Sequence, residues 1–83
     1  MARYVKKPIP ITAIQWTGDN KAELLEFTNG TCKFAVVSPA IYIPTLDGNM
    51  RANVGDYIVR GVEGEFYPCR QDIFEKTYEK ISE

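Results

Sequence analysis

The chain contains no histidine. That removes Ser-His and Cys-His nucleophile pairs, the commonest general base, and every histidine-containing metal site. Cysteine is scarce: Cys32 and Cys69 stand far apart and neither belongs to a Cys-x-x-Cys. A structural zinc site and a disulfide framework are therefore not expected. Long apolar runs are missing, and none approaches the roughly 20 residues of a membrane span. The start, Met1 to Pro8, is basic but lacks the apolar run of a secretory signal. An excess of positive charge is absent as well. Ten basic and eleven acidic residues leave a formal net charge of −1, whereas sequence-independent nucleic-acid binding relies on net cations to displace phosphate counterions. The expectation is a reduced, cytoplasmic chain with free thiols, no membrane partner, no cofactor and no resident metal.

What is present fits a single domain over residues 1–83. A chain of this size buries only about 60–65% of its unfolded surface. Association into a homo-oligomer that covers exposed sheet edges is expected for that reason. Local charge is uneven: Arg3, Lys6 and Lys7 cluster at the start, and Glu75, Glu79 and Glu83 weight the end. Both read first as solvated ends.

Ile9 to Trp16 is rich in β-branched and aromatic residues and predicts a strand, with Pro8 and Pro10 favouring an edge. Asn20 and Glu23 have capping-box spacing ahead of a helix whose apolar face is Leu24, Leu25 and Phe27. Asn29-Gly30 supplies its left-handed stop. Lys33 to Val37 predicts a strand closed by Ser38-Pro39. Two further strands, Tyr42 to Leu46 and Asn49 to Asn53, flank Asp47-Gly48, which reads as a type I′ hairpin loop. Turns at Gly55 and at Gly61 to Gly64 bound strands at Tyr57 to Arg60 and Glu65 to Pro68. Asp72 and Glu75 again have capping-box spacing, and Ile73, Phe74, Thr77, Tyr78 and Ile81 form a stripe for burial. The fold class is α+β, in the order β-α-β-β-β-β-β-α. Its mostly antiparallel sheet either stays open or curls into a small open barrel.

The segment "GDYIVRGVEGEFYPCRQDIFEKTYE" concentrates aromatics, turns and one thiol. Ile58, Phe66, Phe74 and Tyr78 read as core, because aromatics supply the burial that chain length cannot. Arg60, among apolar neighbours, belongs either to a sheet margin or to a contact with an anion or partner. Tyr57 takes the opposite face, and Tyr67 shares a face with Cys69. Arg70 precedes a helix start and raises the option of an anion-binding corner. Cys69 is either an activated thiolate at that helix start or an inert, half-buried thiol, and the inert reading is preferred without a base. Trp16 is either a core anchor or a stacking platform.

"ARYVKKPIPITAIQWTGDN", "IPTLDGNMRANVGDYIVRGVEGEFYPC" and "DIFEKTYE" together resemble a family of small, uncharacterised proteins encoded by phages and prophages of mainly Gram-positive bacteria. In that family a basic start leads into "AVQWTG", and "GDWI(I/V)RGVKGEFYPCKPDIFEKTYE" follows a variable middle. The present chain departs at Arg70-Gln71, where Lys-Pro is usual, and at Asn53-Val54, where a proline often precedes glycine. The resemblance implies an accessory protein expressed inside the host cell, and carries no catalytic residues to transfer.

Three functions are weighed. The leading expectation is a non-enzymatic binding protein that neutralises a host or defence protein by occupying its surface. A variant is a homo-oligomer sequestering a small anionic nucleotide, with Trp16 or Tyr67 stacking on the base and Arg51, Arg60 or Arg70 contacting phosphate. A second class, not favoured by net charge, is single-stranded nucleic-acid binding through Tyr42, Tyr57 and Tyr67. Carboxylate-only metal chemistry at Asp47, Asp56 and Glu65 ranks last, since two of these sit at turn positions where Asp is commonplace.

Overall fold

The computed structural model describes residues 1–81 and follows the expected element order. Strand β1 (Thr12–Gln15) is followed by helix α1 (Lys21–Phe27), five strands and helix α2 (Gln71–Thr77). The strands are β2 (Lys33–Phe34), β3 (Ile41–Thr45), β4 (Gly48–Ala52), β5 (Tyr57–Arg60) and β6 (Phe66–Cys69). They form two separate antiparallel sheets, β1-β5-β6 and β2-β3-β4, and the α+β class is observed. The sheets touch where β6 runs beside the β3–β4 hairpin, without closing into a barrel.

Side-chain alternation decides what each sheet covers. In the first, the register aligns Thr12 with Arg60 and Phe66, and Ile14 with Ile58 and Pro68. This face supplies Ile58, with Ile14 and Phe66 packed alongside, to a core that also holds Trp16, Leu24, Cys32, Ile41, Ile43 and Ala52. The reverse face carries Gln15, Tyr57, Val59, Tyr67 and Cys69, and α2 lies over it. The Phe74 ring stacks on Tyr57 with centroids 4.0 Å apart, and Tyr78 follows at 4.8 Å from Phe74. Val59, fully buried, belongs to this second apolar layer.

Several local expectations are corrected. The first strand begins only at Thr12, because residues 8–11 carry two prolines that cannot donate to a ladder. Neither capping box forms. Asn20 turns its side chain backwards instead: Oδ1 accepts from the Thr17 amide and hydroxyl, and Nδ2 donates to the Gln15 carbonyl at 2.8 Å. Arg70, not Asp72, is the N-cap of α2. Leu25 is exposed while Leu24 is fully buried, since a seven-residue helix over a curved core presents a narrow apolar stripe. The stripe on α2 narrows likewise: Ile73, Thr77 and Ile81 are exposed and only Phe74 and Tyr78 are half-buried. Glu83 lies outside the described residues.

The α1 stop is as expected. Asn29 (φ 56°) and Gly30 (φ 78°) are left-handed. The Gly30 amide donates to the Leu25 carbonyl at 2.7 Å and the Asn29 amide to Glu26 at 3.2 Å, the paired bonds of a Schellman motif. The β3–β4 loop is shifted by one residue. Thr45 pairs with Gly48, so Leu46-Asp47 is the loop. Among the described residues Asn29 alone among non-glycines has positive φ, so Asp47 does not adopt a type I′ conformation, and Gly48 (φ 102°) takes up the strain. The strand predicted over Lys33 to Val37 stops at Phe34, and Val36 and Val37 project from a loop. No helix among the described residues is long and apolar enough to cross a membrane.

Candidate binding surfaces

Trp16 is 1% exposed and acts as a core anchor rather than a stacking platform. Its indole N–H donates to the Pro39 carbonyl at 2.7 Å and its ring lies 5.9 Å from that of Phe34. Buried indoles need such an acceptor, and this one also fastens the loop after β2 to the core.

The remaining singled-out residues are distributed, not gathered. Arg51 sits opposite Tyr42 on the outer face of the β3–β4 hairpin, its Nε donating to Asn53 Oδ1 at 3.0 Å. Arg60 ends β5 at the sheet margin, with its guanidinium 5.4 Å from the centre of the Phe27 ring. Tyr57 has one ring face covered by Phe74. Tyr67 is half-buried on the same sheet face. Burial, and after it the neighbouring Tyr78 hydroxyl, push its phenol up to about 12. Tyr42 lies on the other sheet from Tyr57 and Tyr67.

The proposed anion-binding corner at Arg70 has acidic neighbours. A surface groove of about 350 Å³ there is lined by Asp56, Arg70, Gln71, Asp72 and Glu75, three carboxylates to one cation. Arg70 Nη2 is already paired with Asp72 Oδ2 at 2.8 Å, and Asp72 Oδ1 accepts from the Ile73 amide at 2.9 Å. Desolvation raises the Asp72 carboxyl, but the Ile73 amide and the Arg70 guanidinium together outweigh it and hold the group below the usual range. Arg70 thus has an anionic partner within the chain. Burial first, then the charges of Asp56 and Asp72, push the Cys69 thiol up, the direction that favours the inert reading. Neither cysteine is bonded to the other, and Cys32 is buried.

Asp47, Asp56 and Glu65 are not brought together, and no group of three or more candidate ligands among the described residues is placed to hold a metal. Two of them have local work. Asp56 Oδ2 accepts from the Asn53 amide at 2.9 Å, and Glu65 Oε1 from the Glu63 amide at 3.0 Å.

Three exposed features lie outside the residues weighed as a binding site. The first is the arm formed by residues 1–10, all exposed and outside both sheets. The second is the pair Val36 and Val37, 97% and 96% exposed, beside a groove of about 340 Å³ that reaches Trp16, Lys21 and Phe34. The third is Leu46, fully exposed at the hairpin tip. Apolar content made Val36, Val37 and Leu46 read as strand. Ser38-Pro39 was the available signal for a loop, because a residue before proline avoids helical backbone and proline cannot extend a ladder. No family model, curated protein or solved structure matches the chain.

Proposed function

We propose that the chain is a non-enzymatic phage or prophage accessory protein that works in the host cytoplasm by binding and neutralising a host or defence protein. The observation that supports this reading most is the arm. Residues 1–10 contain Arg3, Lys6 and Lys7 and no acidic residue. Tyr4 and Val5 are 90% and 92% exposed. Pro8 and Pro10 restrict the backbone to extended conformations, which lowers the entropy lost when the arm is immobilised. A pre-extended segment with apolar and basic side chains suits an acidic protein surface or the free edge of another sheet.

The test is co-purification from host cells with the full chain, a variant lacking residues 2–8, and the triple variant Arg3→Glu/Lys6→Glu/Lys7→Glu. The expected result is a host protein held stoichiometrically by the full chain and lost from both variants, whose circular dichroism stays unchanged. A partner retained equally by all three would refute the arm's part in binding, and capture of no host protein by the full chain would refute the reading. So would salt-sensitive recovery of single-stranded nucleic acid in place of a protein.

A further inference from the structure

The groove beside Trp16 and the tip of the β3–β4 hairpin are complementary in chemistry. Phe34, Val36 and Val37 are among the residues that line the groove, and Lys21 is the one charged residue among them. Lys21 Nζ lies 5.2 Å from the centre of the Phe34 ring and makes no ion pair among the described residues. The loop carrying the two valines is held in place. The Ala35 amide donates to the Ala40 carbonyl at 3.1 Å, and the Trp16 indole holds Pro39. The two exposed valines are thus carried between fastened loop ends.

The hairpin tip offers the reciprocal pattern. Leu46 is the most exposed leucine of the chain and Asp47 follows it directly. The Asp47 carboxylate has no ion pair among the described residues, and the loop is closed by the Asp47 amide donating to Thr45 Oγ1 and that hydroxyl donating to the Gly48 carbonyl. Groove and tip lie at opposite ends of β3: Phe34 pairs with Ile41 at its start, and Thr45 pairs with Gly48 at its end. At about 3.4 Å per strand residue the two are on the order of 15 Å apart, so a tip cannot fill its own groove.

We infer that the groove receives the hairpin tip of a second copy of the chain, with Leu46 seated against Phe34, Val36 and Val37 and Asp47 paired with Lys21. Two copies lying antiparallel exchange tips reciprocally, so one kind of contact is made twice and closes a two-fold dimer. Burying apolar side chains from both partners around one charge pair gives the contact an apolar centre, and the Lys21–Asp47 pair fixes its register. This inference is independent of the arm.

Sedimentation velocity over a concentration series tests it on the full chain. The expected result is a monomer–dimer equilibrium in the wild type. Leu46→Asp and Val37→Asp are each expected to weaken it by at least about tenfold. Both side chains are exposed, and circular dichroism verifies that the variants fold. Lys21→Asp and Asp47→Lys are each expected to weaken the dimer, and the double variant Lys21→Asp/Asp47→Lys to restore it, a recovery that general loss of stability does not produce. A wild type that stays monomeric throughout overturns the inference. A dimer indifferent to Leu46→Asp and Val37→Asp, or single charge variants not rescued by the double exchange, overturns it as well.

Discussion

At the scale of single residues, Trp16 and Tyr67 show how the same aromatic chemistry is used for two purposes. Trp16 is enclosed on all sides and satisfied by Pro39. Trp16→Ala removes a large buried side chain and leaves that carbonyl unpaired, so a loss of roughly 3–5 kcal/mol is expected. For a small domain this approaches the total stability. Urea denaturation followed by circular dichroism measures it, and a variant with the wild-type midpoint would remove Trp16 from the core. Tyr67 makes a pH-dependent contribution. Its folded pKa lies near 12, above the ordinary phenol value of 10.0. The unfolded chain therefore loses this proton first as pH rises. The stabilisation tied to the protonated phenol is complete below about pH 10 and is lost between about pH 10 and 12. Tyr67→Phe is expected to flatten the alkaline loss of stability over that window, as read by denaturant midpoints at successive pH values. An unchanged alkaline profile would assign the loss to other groups.

Secondary-structure elements in this chain are short, and their ends carry much of the argument. Helix α1 ends through the left-handed Asn29, a conformation that costs most L-residues about 1 kcal/mol or more. Asn29→Ala is expected to destabilise the protein by about 1 kcal/mol, and Asn29→Gly to be neutral or slightly stabilising; thermal denaturation distinguishes the two. Helix α2 has seven residues and buries none of them completely, well short of the ~12–15 residues at which isolated helices become even marginal. The ring sequence Tyr57, Phe74, Tyr78 is what holds it to the sheet. In Phe74→Ala, amide exchange at Phe74 and Tyr78 is expected to accelerate while the β5 amides keep their protection. Equal acceleration in both would mean that α2 and the sheet unfold as one unit.

For the whole molecule, shape carries the information. The radius of gyration is 13.8 Å and the longest extent is 50 Å, whereas a compact domain of this length is expected near about 12 Å. The arm of residues 1–10 is exposed and no sheet includes it. Removal of residues 2–8 is expected to leave the melting temperature unchanged to within about 1 °C, because no packed surface is lost. Small-angle scattering of the same variant at low concentration is expected to show a radius closer to the compact value. A marked drop in melting temperature would place the arm against the folded body.

Element order was readable from residues such as Asn29, Gly30, Gly55 and Pro39, because backbone preferences at turns act over two or three neighbours and require no tertiary context. The core was partly readable for the same reason. Ile58 and Trp16 lie in β-branched and aromatic runs, and only burial offsets the cost of exposing such side chains. Tertiary structure alone decided the rest. Two sheets formed instead of one, because β6 came to lie beside β3–β4 while pairing only with β5. Arg70 shares a surface groove with Asp56, Asp72 and Glu75, brought there from the turn before β5 and from α2, and pairs with Asp72. Val36, Val37 and Leu46 became surface because Pro39 and the Leu46-Asp47 loop end the ladders around them. Local sequence determines where a chain turns. Which charges and apolar side chains then meet depends on contacts between residues distant along the chain, and those exist only once the sheets have packed.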